Sequence, residues 1–107
     1  MRSFVRQGDV LLERVDALPK GLKAVERDDR GRVVLQEGEV TGHAHAILEP
    51  NAVLYEAERV AARYLEVLDA PAVLRHEEHG AIVLEPGVYR QHRQREYFEG
   101  RDHQVVD

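Results

Sequence analysis

Short apolar segments alternate with clusters of Gly, Pro and Asp along this chain, the rhythm of a small β protein. Val10-Leu11-Leu12-Glu13-Arg14-Val15 follows Gly8-Asp9 and predicts a first strand, closed off by Pro19 and Gly21. Residues 22–25 predict a second. Asp28-Asp29-Arg30-Gly31 has turn chemistry, with glycine available for positive φ, so residues 32–36 are expected to return as the hairpin partner of 22–25. A further strand is expected over 39–48, stopped by Pro50, and two more over 81–84 and 88–97. Between those two, Pro86-Gly87 suits the central positions of a type II turn. Residues 52–68 are ambiguous. Val53, Ala57, Val60 and Tyr64, with Leu54, Ala61, Leu65 and Leu68 beside them, follow a 3.6-residue period and predict a helix. Two short strands, 53–55 and 64–68, fit almost as well. The expected fold is therefore mainly β, a small barrel or sandwich with room for one short helix.

The chain has 107 residues, within the range of one domain, and no internal repeat or linker, so a single β-rich domain over 1–107 is expected. It contains no Cys, which removes disulfides, thiolate zinc sites and cysteine nucleophiles together. No apolar run approaches the roughly 18 residues of a membrane span, and the opening residues lack a signal-peptide core, so a cytoplasmic protein is expected. The net charge of −5 is unevenly placed: residues 36–88 carry three positive and ten negative side chains. That segment attracts cations and repels phosphate backbones, which disfavours nucleic acid as a partner. A small β domain with exposed edges tends to pair them, so a homo-oligomer is expected.

Five of the six His lie in or just beyond the acidic segment. In Gly42-His43-Ala44-His45 a strand would place His43 and His45 on one face, where two imidazoles can converge on a metal ion. Glu49 has the same parity and offers a carboxylate as a further ligand or as an orienting partner. In His76-Glu77-Glu78-His79 the two His share a side if the segment is a helical turn or a tight loop. On a regular strand they would face opposite ways, and only one could be a ligand. Glu77 and Glu78 could orient these ligands; a solvated charged turn explains them equally well. Without Cys the ligands would be nitrogen and oxygen, suited to a divalent Zn, Fe, Mn or Ni ion. Buried or surface polar His without metal, or a His acid–base pair, are the competing readings. Ser3 is the only Ser and Thr41 the only Thr, so no obvious nucleophile supports the acid–base pair.

Two other stretches carry candidate chemistry. Along 88–97 the alternation puts Tyr89, Gln91, Arg93, Arg95 and Tyr97 on one face, so Arg93 and Arg95 are candidates for binding an anion, against a solvated or subunit-facing strand. Asp28-Asp29-Arg30-Gly31 reads as turn chemistry, since the further oxygen ligands of a calcium loop are missing.

The His43-x-His45-x3-Glu49 spacing resembles the first metal motif of the cupin superfamily, and Pro86-Gly87 followed by His92 is loosely similar to its second. That resemblance implies a β-barrel with His43, His45, Glu49 and His92 around a metal. Gln7-Gly8-Asp9-Val10-Leu11, the run from Gly38 to His45, and His76-Glu77-Glu78-His79 through Pro86-Gly87-Val88-Tyr89 to Gln94-Arg95-Glu96-Tyr97 resemble a family of small bacterial and phage-associated proteins with no established activity. This second resemblance implies strands rather than helix at 64–68, and one site made of His43, His45, His76 and His79. The function expected is a small metal-binding β protein with His43, His45, His76 and His79 as ligands and Glu49, Glu77, Glu78 and His92 as orienting or alternative ones. If it is an enzyme, the metal would activate water or polarise a substrate oxygen, with Glu77 or Glu78 as base; its substrate is not encoded in any motif. The rival is a non-catalytic interaction or assembly module, such as a phage or mobile-element component.

Overall fold

Apolar alternation is realised as strands throughout a computed structural model that describes residues 3–38, 40 and 42–92. In chain order these are β1 (Phe4–Gln7), β2 (Val10–Val15), β3 (Leu22–Ala24), β4 (Val33–Glu37), β5 (Ala44–Ile47), β6 (Ala52–Ala57), β7 (Arg63–Val67), β8 (Ala72–His76), β9 (His79–Leu84) and β10 (Gly87–His92). They form two antiparallel sheets, one ordered β1-β2-β10-β7-β6-β3 and the other β4-β5-β8-β9. One apolar core joins them. Val10, Leu12, Leu54, Leu65 and Tyr89 enter it from the first sheet, and Leu35, Ile47, Leu74 and Leu84 from the second. Fully burying side chains of this kind contributes roughly 1.5–3 kcal/mol each, so the core is the main source of stability.

No helix occurs among the described residues, and so none long and apolar enough to cross a membrane. Residues 52–68, where the 3.6-residue period pointed to a helix, form β6 and β7 instead, paired as Leu54↔Leu65 and Tyr55↔Tyr64. Within each half the burial has period two: Ala52 and Leu54 are buried and Val53 and Tyr55 half-buried. A single apolar stripe would have served a helix equally well. The core between two sheets selects the form that gives each half its own inward face.

The hairpin expected between 22–25 and 32–36 does not form. β3 pairs with β6, and β4 pairs with β5 in the other sheet. The Asp28 turn exists, but as a crossing between sheets. Its Oδ1 accepts the Arg30 and Arg32 N–H groups at 3.0 and 2.8 Å, and Oδ2 accepts Arg32 Nε–H at 2.9 Å. Arg27 donates to the carbonyls of Gly31, Glu49 and Ala52, tying the crossing to the β5–β6 connection. Pro86-Gly87 is likewise a crossing. Gly87 already belongs to β10 with φ 153°, well away from the roughly 80° of the type II position. A Cβ there would meet the Arg14 guanidinium at 2.5 Å.

The ladder does not close into a barrel among the described residues, and polar side chains span the gaps between the sheets. A bulge between Val34 and Gln36 leaves Leu35 out of register. Its carbonyl accepts from Arg63 Nη1 and from Gln91 Nε2, each at 3.0 Å, across one gap. At the other gap, beside β1 and β9, Gln7 plays the same part.

Candidate metal centre at the end of the core

β5 reads Ala44-His45-Ala46-Ile47, and His45 has the inward parity of Ile47. Ile47 sits in the core; His45 caps its end, 3% exposed. The second histidine pair comes from the β8–β9 hairpin. A register shift between Leu74 and His76 shortens the connection to Glu77-Glu78, so His76 and His79 become direct cross-strand partners. Partners flanking a two-residue turn project to the same side, which is the tight-loop alternative for this motif. Their ring centroids lie 4.7 Å apart, and the His45 ring is 4.2 Å from His76 and 5.7 Å from His79.

One potential ligand nitrogen from each of His45, His76 and His79 lies within 4.8 Å of the other two. A tetrahedral ion with bonds of about 2.1 Å needs nitrogens about 3.4 Å apart, so the widest separation in the set would close by at most about 1.4 Å on binding. The donor chemistry and spacing fit a divalent transition ion. The three rings grade from buried (His45) through half-buried (His76) to exposed (His79). They border a pocket of about 240 Å³ whose lining also includes Asp9, Glu37 and Glu78. Carboxylates on the rim and no cationic side chain in the lining favour a cation there. Burial pushes the His45 pKa below its ordinary 6.5, assisted by the neighbouring His76 and His79 and opposed by Asp9 and Glu77. His45 is therefore neutral at pH 7, the form that ligates a metal.

Glycines let the rings approach the backbone. Gly8, in the two-residue β1–β2 turn, has φ 56°, and a Cβ there would lie 2.7 Å from His79 Nε2 and 3.1 Å from His45 Cε1. A Cβ at Gly38 would lie 3.1 Å from His76 Nε2. Gln7 is 2% exposed; its Nε2 donates to Leu74 O and Gly80 O at 2.9 and 2.8 Å, and its Oε1 lies 2.9 Å from His45 Nδ1. Neither Gln7 nor Gly8 stands out in the sequence as a site residue. The only signal was their place in the Gln7-Gly8-Asp9 run, which sequence alone connects to nothing near residue 79.

The other candidates are placed as follows. His43 precedes β5 and lies beside the triad, its ring 6.0 Å from that of His76, with Nδ1–H donating to Glu78 Oε2 at 2.8 Å. It falls outside the three-nitrogen set. Glu77 Oε1 accepts the Ala44 N–H at 3.0 Å, and hydrogen bonds to backbone N–H groups are the main reason its carboxyl titrates below the ordinary range. Glu77 thus ties the hairpin to β5, and Glu78 orients His43. Glu49 does not join the triad: its Oε1 accepts the Val73 N–H at 3.2 Å. His92 lies on β10 in the other sheet, donating from Nε2 to Glu13 Oε1 at 2.7 Å. The cupin-like set of His43, His45, Glu49 and His92 is therefore not assembled: His92 bonds Glu13, Glu49 bonds the Val73 N–H, and neither joins His45 in the three-nitrogen set. Arg93, Arg95 and Thr41 lie outside the described residues. On β10, the face of Tyr89 and Gln91 turns inward: Tyr89 is buried and Gln91 bonds Leu35 O.

Size does not locate this chemistry. A larger groove of about 790 Å³ is lined by Ala57, Val60, Ala61 and Ala62 with Glu56 and Arg63, and among the described residues it holds no cluster of metal-ligating groups.

Fold and site together define an antiparallel β protein with a histidine triad at the mouth of its core. The chain belongs to the family described as a domain of unknown function (DUF8820), whose model matches residues 6–94. No curated protein and no solved structure matches it.

Proposed function

We propose that this chain is a metal-binding β protein in which His45, His76 and His79 hold one divalent transition ion through ring nitrogens. The convergence of three ligand atoms within 4.8 Å, from residues up to 34 positions apart, carries the reading. Three nitrogen donors would leave a fourth position of a tetrahedral ion for water or a substrate oxygen, the chemistry a zinc-type ion would supply there. The nitrogen set suits Zn, Fe, Mn or Ni. The test is metal content by mass spectrometry of untagged protein incubated with each ion and desalted. About one ion per chain is expected in the wild type and in His43→Ala, with loss in His45→Ala and His79→Ala. No uptake by the wild type, or uptake unchanged in both of the latter variants, overturns it.

A second reading, self-association through a sheet edge, is favoured by β9. This six-residue edge strand contains no Asp, Glu, Lys or Arg, and beyond Gly80, whose carbonyl accepts from Gln7, Val83 is 59% exposed. The other edges are guarded: β1 carries Arg6, β3 is three residues long with Lys23, and β4 is bulged. Sedimentation should show a concentration-dependent dimer that Val83→Lys abolishes. A wild type that stays monomeric at high concentration refutes this reading.

A further inference from the structure

Gln7 makes three hydrogen bonds whose directions leave its amide no choice. Nε2 faces two carbonyl oxygens, Leu74 O at 2.9 Å and Gly80 O at 2.8 Å. Both are acceptors only, so the NH2 group must lie there; the reversed amide would set three oxygens against one another. The carbonyl Oε1 is therefore the atom 2.9 Å from His45 Nδ1. An amide oxygen can only accept, so Nδ1 must carry hydrogen. A neutral imidazole has one N–H and one lone pair, which leaves the lone pair of His45 on Nε2.

We infer that Gln7 is a positioning residue for the triad: its amide holds His45 in the Nδ1–H tautomer and fixes the ring plane, so that Nε2 is the atom offered to an ion in the pocket. This rests on the metal-binding reading for its purpose, though the tautomer itself does not. An orienting partner of this kind is a regular feature of histidine metal ligands, and its loss costs roughly 10- to 100-fold in affinity. Here the partner is a neutral amide, which orients the ring without adding a negative charge. The carbonyls that anchor it come from β8 and β9, the strands that also carry His76 and His79. One side chain from β1 thus couples the ring on β5 to the hairpin carrying the other two.

His76 is the contrasting case. Its Nδ1 accepts the Glu78 N–H at 3.0 Å, so its neutral ring carries hydrogen on Nε2 while that turn bond persists. His45 is ready for an ion in the free protein; His76 must give up a turn hydrogen bond to ligate through Nε2.

The experiment is long-range proton–nitrogen correlation NMR on metal-free protein with nitrogen-15 histidine, followed by zinc titration against a chromophoric chelator. In the wild type His45 should be wholly Nδ1–H. Gln7→Met should mix the tautomers and weaken zinc binding at least tenfold. Gln7→Glu keeps an acceptor for Nδ1–H, so the folded variant should keep the tautomer, at a cost in stability because its second oxygen faces the Leu74 and Gly80 carbonyls. A wild-type His45 that is Nε2–H or an even mixture overturns the inference, and this needs no variant to fold. So does a folded Gln7→Met that keeps both the tautomer and an affinity within twofold of wild type. A wild type with the expected tautomer that takes up no zinc leaves the role of Gln7 standing and defeats the metal-binding reading instead.

Discussion

Gly8→Ala separates the demands of the backbone from those of the site. Gly8 has φ 56°, so any L side chain there enters the left-handed region at a cost of about 1–2 kcal/mol. Gly21 supplies the control: its φ is 77°, and an added Cβ meets nothing within 4 Å. Both Ala variants should therefore lose about 1–2 kcal/mol, lowering Tm by roughly 4–8 °C per kcal/mol in a domain of this size. Only at Gly8 does the new methyl strike the site. His79 Nε2 must withdraw from 2.7 Å to the 3.4 Å of ordinary contact, about 0.7 Å. His79 is exposed and can swing outward, while the buried His45 ring, 3.1 Å from the new Cβ, must give by a few tenths of an ångström, so the clash adds modestly to the stability loss. The same movement exceeds the tolerance of about 0.2 Å on metal–ligand distances, so the ion loses a donor. Zinc affinity should fall at least tenfold in Gly8→Ala and stay within twofold of wild type in Gly21→Ala. Denaturant unfolding of the metal-free variants and zinc competition measure the two effects separately. Equal affinity in Gly8→Ala and wild type, or equal losses in both variants, would show that Gly8 does not shape a metal site.

Two more outcomes follow from burial. The His45 pKa is lowered from 6.5 chiefly by burial, so as pH falls the unfolded chain takes up that proton before the folded one does. Metal-free stability is thus intact above about pH 6.5 and falls progressively below it, until the folded-state pKa is passed. Denaturant midpoints at pH 7.5 and 5.5 should differ less in His45→Leu than in the wild type; an equal difference contradicts the assignment. Leu65 is 0% exposed between the sheets, so Leu65→Ala should cost about 2–5 kcal/mol by unfolding assays while leaving zinc affinity of the folded protein unchanged.

Short apolar segments bounded by Gly, Pro and Asp marked β2 and, within a residue or two, β3, β4 and β8's partner β9, because strand and turn chemistry are both local. The sequence also marked both histidine pairs and the exclusion of thiolate chemistry, since these are matters of composition and short spacing. Residues 52–68 show its limit. Their apolar positions satisfy two periods at once, and the choice of β6 and β7 came from sheet neighbours 20 or more residues away, Gln91 and Tyr89 among them. Which strands pair, which histidines meet and what holds them were decided by tertiary structure. β3 left its neighbour β4 for β6, His92 was carried to the opposite sheet, and Gln7 found its carbonyl partners 67 and 73 residues along the chain. Local patterning records which way a side chain faces. The position of one sheet's edge against another is set by filling a shared core, a sum over residues from both sheets that no short stretch contains.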